Sequence, residues 1–188
     1  MIFRCWAALL ASSIAGVAAD PPRYTESGDL LRPDNYREWI YLSSGLGMTY
    51  GPEAQASPKP SFDNVFVSPE AYRSFLRTGQ WPDKTVFILE IRRSESHGSI
   101  NKAGFYQSEI RAVEAAVKDK TRFPDEWGYF GFAVSNGVIA PAGKLFDKSA
   151  GCNACHGANG AVEHTFVQFY PTLLEVARAK GTLKPAAR

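Results

Sequence analysis

The sequence predicts a single α+β domain, and three observations support this. Short apolar runs typical of strands are interspersed with segments that carry helix start and stop signals. No internal repeat or low-complexity linker divides the chain. A length of 188 residues is sufficient for one compact domain with its own core.

Composition excludes several classes of protein. The formal net charge is only +2 and the acidic and basic residues are interspersed, so neither a nucleic-acid-binding stripe nor an acidic tail is indicated. Hydrophobic residues make up 45% of the chain, which is ordinary for a folded domain and too high for a disordered one.

The N-terminus predicts a secretory signal peptide over residues 1–19. Met1 to Arg4 is a short basic start, Cys5 to Val17 is apolar, and Ala18-Ala19 offers small residues for cleavage. A membrane anchor would need roughly twenty apolar residues, and this run is shorter. We therefore expect export to the periplasm or the medium, no membrane attachment after cleavage, and a mature domain over residues 20–188.

The first half of the mature chain predicts an arm, two helices, a loop and a strand. Asp20 to Pro33 is a polar arm, and Pro33-Asp34-Asn35 starts a helix that runs through Leu42. Ser43 to Pro60 contains Gly, Ser and Pro breakers and is predicted to be a loop, while Asn64 to Val67 predicts a short strand. Ser68-Pro69-Glu70 combines an N-cap hydroxyl with a proline at the first helical position, and Gly79 ends this second helix.

The second half contains the strongest strand signal, Thr85 to Arg92. This run is mostly apolar on both faces, so we expect it at the centre of a sheet. The remaining elements predicted are a weaker strand over Phe105–Ile110, a turn of helix over Ala112–Val117, a second central strand over Trp127–Val134, a short extended segment over Thr165–Tyr170, and a terminal helix over Pro171–Lys180 that Gly181 ends.

The residues that carry chemistry are Cys152-Asn153-Ala154-Cys155-His156, which have the spacing of c-type haem attachment. Positions i and i+3 lie on the same side of a helix, so both thiols can reach the two vinyl groups of one porphyrin. The next residue, His156, then projects its imidazole over the iron. A disulfide across so short a loop would stabilise the fold very little. The sequence therefore predicts covalent haem c with His156 as the axial iron ligand.

Zinc and a redox dithiol are the competing interpretations of this motif. A structural zinc site has four ligands, and the only other histidines are His97 and His164. A thioredoxin-like dithiol would start a helix after a strand in a βαβ pattern, which is not apparent here. Haem is the interpretation that the sequence favours.

The sixth coordination position of such an iron has no obvious ligand. Met48 is the one methionine of the mature chain and lies far upstream, whereas small helical electron-transfer cytochromes carry a methionine ligand after the haem motif. His164 follows His156 too closely to cross to the other face, and His97 lies in a polar loop. We expect an open or water-filled position that suits ligand binding or redox catalysis. A plain electron carrier with Met48 as a weak ligand is the alternative.

Several segments together resemble the cytochrome P-460 family, which includes the cytochromes c′-beta. These segments are Asn35-Tyr36-Arg37-Glu38-Trp39, Ser68-Pro69-Glu70-Ala71-Tyr72, Thr78-Gly79 through Asp83, Val113 to Asp119, Arg122-Phe123, the aromatic run from Trp127, the haem motif, and Phe166 to Pro171. They extend over nearly the whole mature chain. The resemblance implies a mainly antiparallel sheet with flanking helices, a homodimer, and a five-coordinate haem c with His156 proximal.

The resemblance also distinguishes two functions within the family. Its enzymes oxidise hydroxylamine to nitrous oxide and carry a lysine bonded to the porphyrin edge, in the central strand after the Trp81-Pro82-Asp83 turn. Leu89 matches that position, and leucine has no amine to form the bond. Lys84 is the nearest lysine, but it lies in the turn, where we expect a solvated charge. The chain therefore resembles more closely the c′-beta branch, whose members bind nitric oxide in a hydrophobic distal pocket.

Strand alternation supports an apolar distal surface. If Leu89 faces the haem, Phe87 and Ile91 point the same way, and such a surface favours a neutral diatomic ligand. Hydroxylamine oxidation would instead need a carboxylate as proton acceptor and a periplasmic electron acceptor. Asp147 and Asp63 are the candidate carboxylates.

Overall fold

The structure, a computed structural model, describes residues 21–50 and 55–185. The predicted signal peptide, residues 1–19, lies outside these residues. The strands are β1 (Leu30–Leu31), β2 (Ile40–Leu46), β3 (Ser61–Val67), β4 (Val86–Glu95), β5 (Tyr106–Lys118), β6 (Trp127–Phe132), β7 (Val134–Ser135), β8 (Val138–Ile139) and β9 (Ala142–Leu145). The helices are α1 (Pro69–Thr78), α2 (Cys152–Asn159) and α3 (Pro171–Lys180), with short 3-10 turns at Tyr36–Glu38, Lys148–Ala150 and Val167–Phe169. In the described part of the chain, no helix is long and apolar enough to cross a membrane.

The predicted α+β class is confirmed, and so is the mainly antiparallel sheet. Seven strands form one sheet in the order β1-β9-β6-β5-β4-β3-β2, and β7 and β8 form a separate hairpin. Every strand pair in both sheets is antiparallel. Strands β2 to β6 pair with their neighbours in the chain, with α1 in the connection between β3 and β4, whereas β9 brings together β1 and β6 from distant parts of the chain.

The apolar strand β4 lies in the interior of the sheet between β3 and β5, so the prediction of a strand covered on both sides is confirmed. Its residues alternate between the two faces, so Phe87 and Ile88 belong to different hydrophobic cores. Leu89 lies opposite Val65 of β3 and Glu114 of β5. This register determines which side chains from distant segments share one face with Leu89.

The helix predicted from Pro33 through Leu42 is wrong. The chain makes only a 3-10 turn at Tyr36–Glu38 and then continues as β2, in which Ile40 pairs with Val67. The aromatic and branched residues of this segment suit a pleated, half-buried surface, and pairing with β3 outweighs the local helix start signal.

The turn of helix predicted over Ala112–Val117 is also wrong, because this segment continues β5. Val113, Ala115 and Val117 are buried in one core, which is the period of two that a strand requires. Arg111 has no partner in the β4 ladder: Ile91 pairs with Ala112 and Arg92 with Ile110, so a bulge interrupts the strand there. The extended segment predicted over Thr165–Tyr170 contains a 3-10 turn at Val167–Phe169 instead.

Helices α1 and α3 are confirmed with the predicted bounds. Gly79 and Gly181 end them in the left-handed conformation, with φ of 71° and 68°. The Ser68 hydroxyl, however, makes no capping hydrogen bond to any residue that the structure describes. The two helices contact each other and contribute Phe75 and Leu173 to a core that also contains Phe87 of the sheet. One face of the sheet is therefore covered by helices, and the candidate site lies on that face.

Candidate functional site

The haem motif forms the first turns of α2. Gly151 has a left-handed φ of 71°, which ends the preceding 3-10 turn and lets α2 begin at Cys152. Cys152 and Cys155 are one helical turn apart, both thiols are free, and His156 follows directly. The helical spacing that the sequence predicts is thus present.

A cavity of about 760 Å³ is lined both by α2 and by the helix-covered face of the sheet. Its volume lies in the range of roughly 300–1,000 Å³ that is usual for sites of small molecules and cofactors. Cys152, Cys155 and His156 line it on one side. The sheet contributes mainly apolar side chains, among them Val65, Phe87, Leu89, Ile91 and Ala116. The structure therefore brings together all six residues that the sequence assigns to the cofactor.

His156 is held in one orientation. Its ring lies between those of Tyr129 and Phe166, with centroid distances of 4.6 and 4.4 Å. Its Nδ1 lies 2.9 Å from the backbone carbonyl oxygen of His164, so Nδ1 carries the proton and Nε2 keeps a free lone pair. Burial lowers the pKa of His156, which favours the neutral form that binds a metal.

The segment after α2 fixes the position of that carbonyl. Thr165 closes a turn by donating its backbone N–H and its hydroxyl to the carbonyl of Val162, at 2.9 and 2.8 Å. Gln168 spans the same segment, since its Nε2 donates to the Asn159 carbonyl at 2.8 Å. A Cβ atom at Gly160 would lie 2.7 Å from the His156 carbonyl oxygen, so glycine is required for this close approach. The His164 ring lies beside Gly157 of α2, and His164 also lines the cavity.

Among the described residues, two carboxylates line the cavity, Asp63 and Glu114. Asp63 pairs with Ile91 in the sheet, and Glu114 pairs with Leu89. Burial raises the pKa of both groups, and the negative charge of Asp63 raises that of Glu114 further, while Arg111 partly offsets the effect at Asp63. The sequence assigned no role to Glu114, because its place beside Leu89 depends on the register between β4 and β5.

Asp147, the other predicted carboxylate, is not brought to the cavity. It is exposed, and its Oδ1 accepts from the backbone N–H of Ser149 at 2.8 Å. Its carboxylate therefore caps the 3-10 turn before α2. Its closeness to Cys152 in sequence does not place it beside the cavity.

Three further residues from the sequence analysis have clear positions. Met48 lies in the loop after β2 and lines the cavity. The Met48 side chain packs against Gly45, where a Cβ atom would collide with the Met48 sulfur. Lys84 forms an ion pair with Asp119 and donates to the Thr121 hydroxyl at 3.2 Å, so it is engaged in its own turn. His97 is exposed.

The residues present fit a haem. The cavity is mainly apolar, two thiols and one oriented imidazole line it, and Lys59 and Arg111 are cations in the lining that could pair with the two carboxylates of a porphyrin. A zinc site is disfavoured, because the residues described contain no group of three or more His, Cys, Asp or Glu side chains that could hold a metal ion.

Replacement of Glu114 by Gln is expected to raise the free energy of unfolding at neutral pH. Because the Glu114 pKa is raised, the folded state binds its proton more tightly than the unfolded chain, and ionisation costs stability as pH rises above the ordinary Glu value of about 4.3. Glutamine cannot ionise, so Glu114→Gln should have a higher free energy of unfolding than wild type at pH 7. Below about pH 4, where Glu114 is protonated in both states, the two proteins should be equally stable. Denaturant unfolding at the two pH values measures it, with exposed Glu109→Gln as control. Equal stability of Glu114→Gln and wild type at pH 7 would contradict the prediction.

Comparison with known proteins agrees with this site. The family model described as Cytochrome P460 matches residues 33–167, from the turn before β2 to the turn after α2. A comparison with curated proteins finds no match. Because the matched region includes the haem motif and most of the chain, this protein belongs to the cytochrome P460 family of haem-binding cytochromes.

Proposed function

We propose that this protein is an exported mono-haem c-type cytochrome that binds a small neutral ligand such as nitric oxide. The observation that carries the proposal is the cavity in which the thiols and imidazole of α2 share a lining with Phe87, Leu89 and Ile91. Haem, when bound, supplies an iron that can take a diatomic ligand opposite His156.

The chain provides a partner for each part of the cofactor. Cys152 and Cys155 would form the two thioether bonds, and Nε2 of His156 would bind the iron, since Nδ1 is engaged by the His164 carbonyl. Lys59 and Arg111 would receive the porphyrin carboxylates, because charge-assisted hydrogen bonds to carboxylates are the strong ones.

The apolar side chains of β4 would favour a neutral ligand. A protonated or strongly polar molecule would lose its hydrogen bonds to water in such a cavity and find few protein partners to replace them. A diatomic gas is weakly hydrated, so its transfer costs little free energy. Leu89 lines the cavity and has no amine, so it cannot supply the porphyrin cross-link found in the hydroxylamine-oxidising enzymes of the family.

Hydroxylamine oxidation is the second candidate, and Asp63 and Glu114 favour it. Both line the cavity, and their raised pKa values make them better proton acceptors than ordinary carboxylates at neutral pH. In that case the electrons would leave to a periplasmic acceptor. Electron transfer alone is the third candidate, and the position of Met48 in the cavity lining is the observation in its favour.

The absorption spectrum of the purified ferrous protein distinguishes the three. We expect a high-spin spectrum that changes when nitric oxide is added and that is the same in Met48→Leu, because Met48 does not bind the iron in this proposal. A low-spin spectrum that becomes high-spin in Met48→Leu would identify a sixth ligand and support electron transfer. Turnover of hydroxylamine with an electron acceptor, lost in Glu114→Gln or Asp63→Asn, would support the enzyme and overturn the proposal.

The proposal includes location in the periplasm or the medium and assembly as a homodimer. The first follows from the predicted signal peptide, and the second from the family resemblance. Cell fractionation and the sedimentation of the purified holoprotein test these two points separately.

A further inference from the structure

Lys118 is a buried lysine whose ammonium group reaches the turn behind α2. Its side chain is only 5% exposed, and its Nζ lies 2.6 Å from Oε2 of Glu163. It also donates to the backbone carbonyl of Trp81 at 2.9 Å. A buried ammonium group needs partners that offset its lost hydration, so these contacts determine where the Lys118 side chain can lie.

Glu163 has an unusual backbone conformation in that turn. Its φ is 52°, in the left-handed region that residues other than glycine rarely adopt. The next residue is His164, whose carbonyl oxygen accepts from Nδ1 of His156 at 2.9 Å. The conformation at Glu163 therefore decides where the acceptor for the imidazole lies.

Trp81 connects to the other end of the same turn. Its indole Nε1 donates to the Thr165 hydroxyl at 2.8 Å, and that hydroxyl donates to the Val162 carbonyl at 2.8 Å. The Trp81 carbonyl also accepts from Lys118. Lys118 and Trp81 therefore contact each other and hold the turn at two points, Glu163 and Thr165.

We propose that Lys118, acting through Glu163, is a positioning residue that holds the His164 carbonyl against His156 and so sets the donor strength of the axial imidazole. This inference rests on the proposed role of His156 as iron ligand. A partner that accepts from the second ring nitrogen of a metal-bound histidine fixes the ring and raises its basicity. Loss of the Lys118–Glu163 pair weakens that hydrogen bond and makes His156 a poorer donor.

Glu163→Ala is the sharpest test, because it removes the nearest carboxylate partner of Lys118 while the left-handed conformation remains unfavourable for alanine. In the holoprotein we expect the iron–histidine stretching frequency to fall and the reduction potential to rise. Glu163→Gly, which adopts that conformation without the ion pair, should give a smaller effect. Lys118→Met should shift both in the same direction. Glu163→Gln, which keeps a hydrogen-bond acceptor, should give smaller shifts. Lys120→Met is the matched control: Lys120 is an exposed neighbour whose Nζ is 3.7 Å from Glu126.

The outcomes separate this inference from the proposed function. If Glu163→Ala keeps the wild-type frequency and potential, Lys118 does not position His156 and the inference is overturned, whether or not Lys118→Met folds. Equal shifts in Lys120→Met would also overturn it, because any loss of a nearby charge would then have the same effect. If the wild-type protein contains no covalent haem or shows no iron–histidine band, it is the proposed function that fails.

Discussion

Replacement of both Cys152 and Cys155 by Ala is expected to remove all covalent haem from the protein. The two thiols are free, one helical turn apart, and line the same cavity, so they are the groups placed to bond a porphyrin. Mass measurement of the denatured mature protein, produced with export and haem attachment, should show one haem adduct in wild type and none in the double variant.

The single variants sharpen this test. Cys152→Ala and Cys155→Ala each leave one thiol for a single thioether, so a reduced yield of the haem adduct is expected from each. Ala154→Ser is the matched control, because Ala154 is exposed on the same helix and carries no thiol. A full haem adduct in the double variant would show that the cofactor is attached elsewhere.

Signals contained in one short segment predicted the fold correctly. Helices α1 and α3 have a proline at the start and a glycine at the end, and the apolar run of β4 indicates a central strand wherever its neighbours lie. The segments that were predicted wrongly depend on distant partners. The residues before β2 carry a helix start signal, but Ile40 is extended because it pairs with Val67 of β3. The second half of β5 does not look like a continuation of the first half, because a bulge at Arg111 interrupts the alternation between them.

The same distinction applies to the site. Cys152, Cys155 and His156 are adjacent in sequence, and one turn of helix is enough to place them. The carboxylates depend on the sheet: Glu114 enters the cavity because β5 pairs in register with Leu89, and Asp63 because β3 pairs with Ile91. Asp147 was chosen for its closeness to Cys152, yet it caps a turn at the surface. Closeness along the chain predicts a site only within a single element.

Replacement of His156 by Ala is expected to leave haem attached while removing its axial nitrogen. The thioether bonds do not involve the imidazole, so haem attachment should not require it. The His156 ring lies between Tyr129 and Phe166, and the His164 backbone carbonyl sets its tautomer so that Nε2 is free to bind iron. We expect an unchanged haem adduct by mass, a changed ferrous spectrum, and altered nitric oxide binding. Added imidazole should restore the wild-type spectrum, because the substitution leaves a space of its own shape between the two aromatic rings.

His164→Ala is the matched control for this prediction. His164 supports His156 with its backbone carbonyl, which alanine keeps, so its ring is not required for the axial bond. The ring does stack on Trp127 at a centroid distance of 6.4 Å, and a modest loss of stability is expected from its removal. If His164→Ala loses the axial nitrogen and His156→Ala keeps it, the ligand assignment is reversed. Because the two histidines share a hydrogen bond that involves only one of the two rings, this pair of variants separates the residue that binds the iron from the residue that orients it.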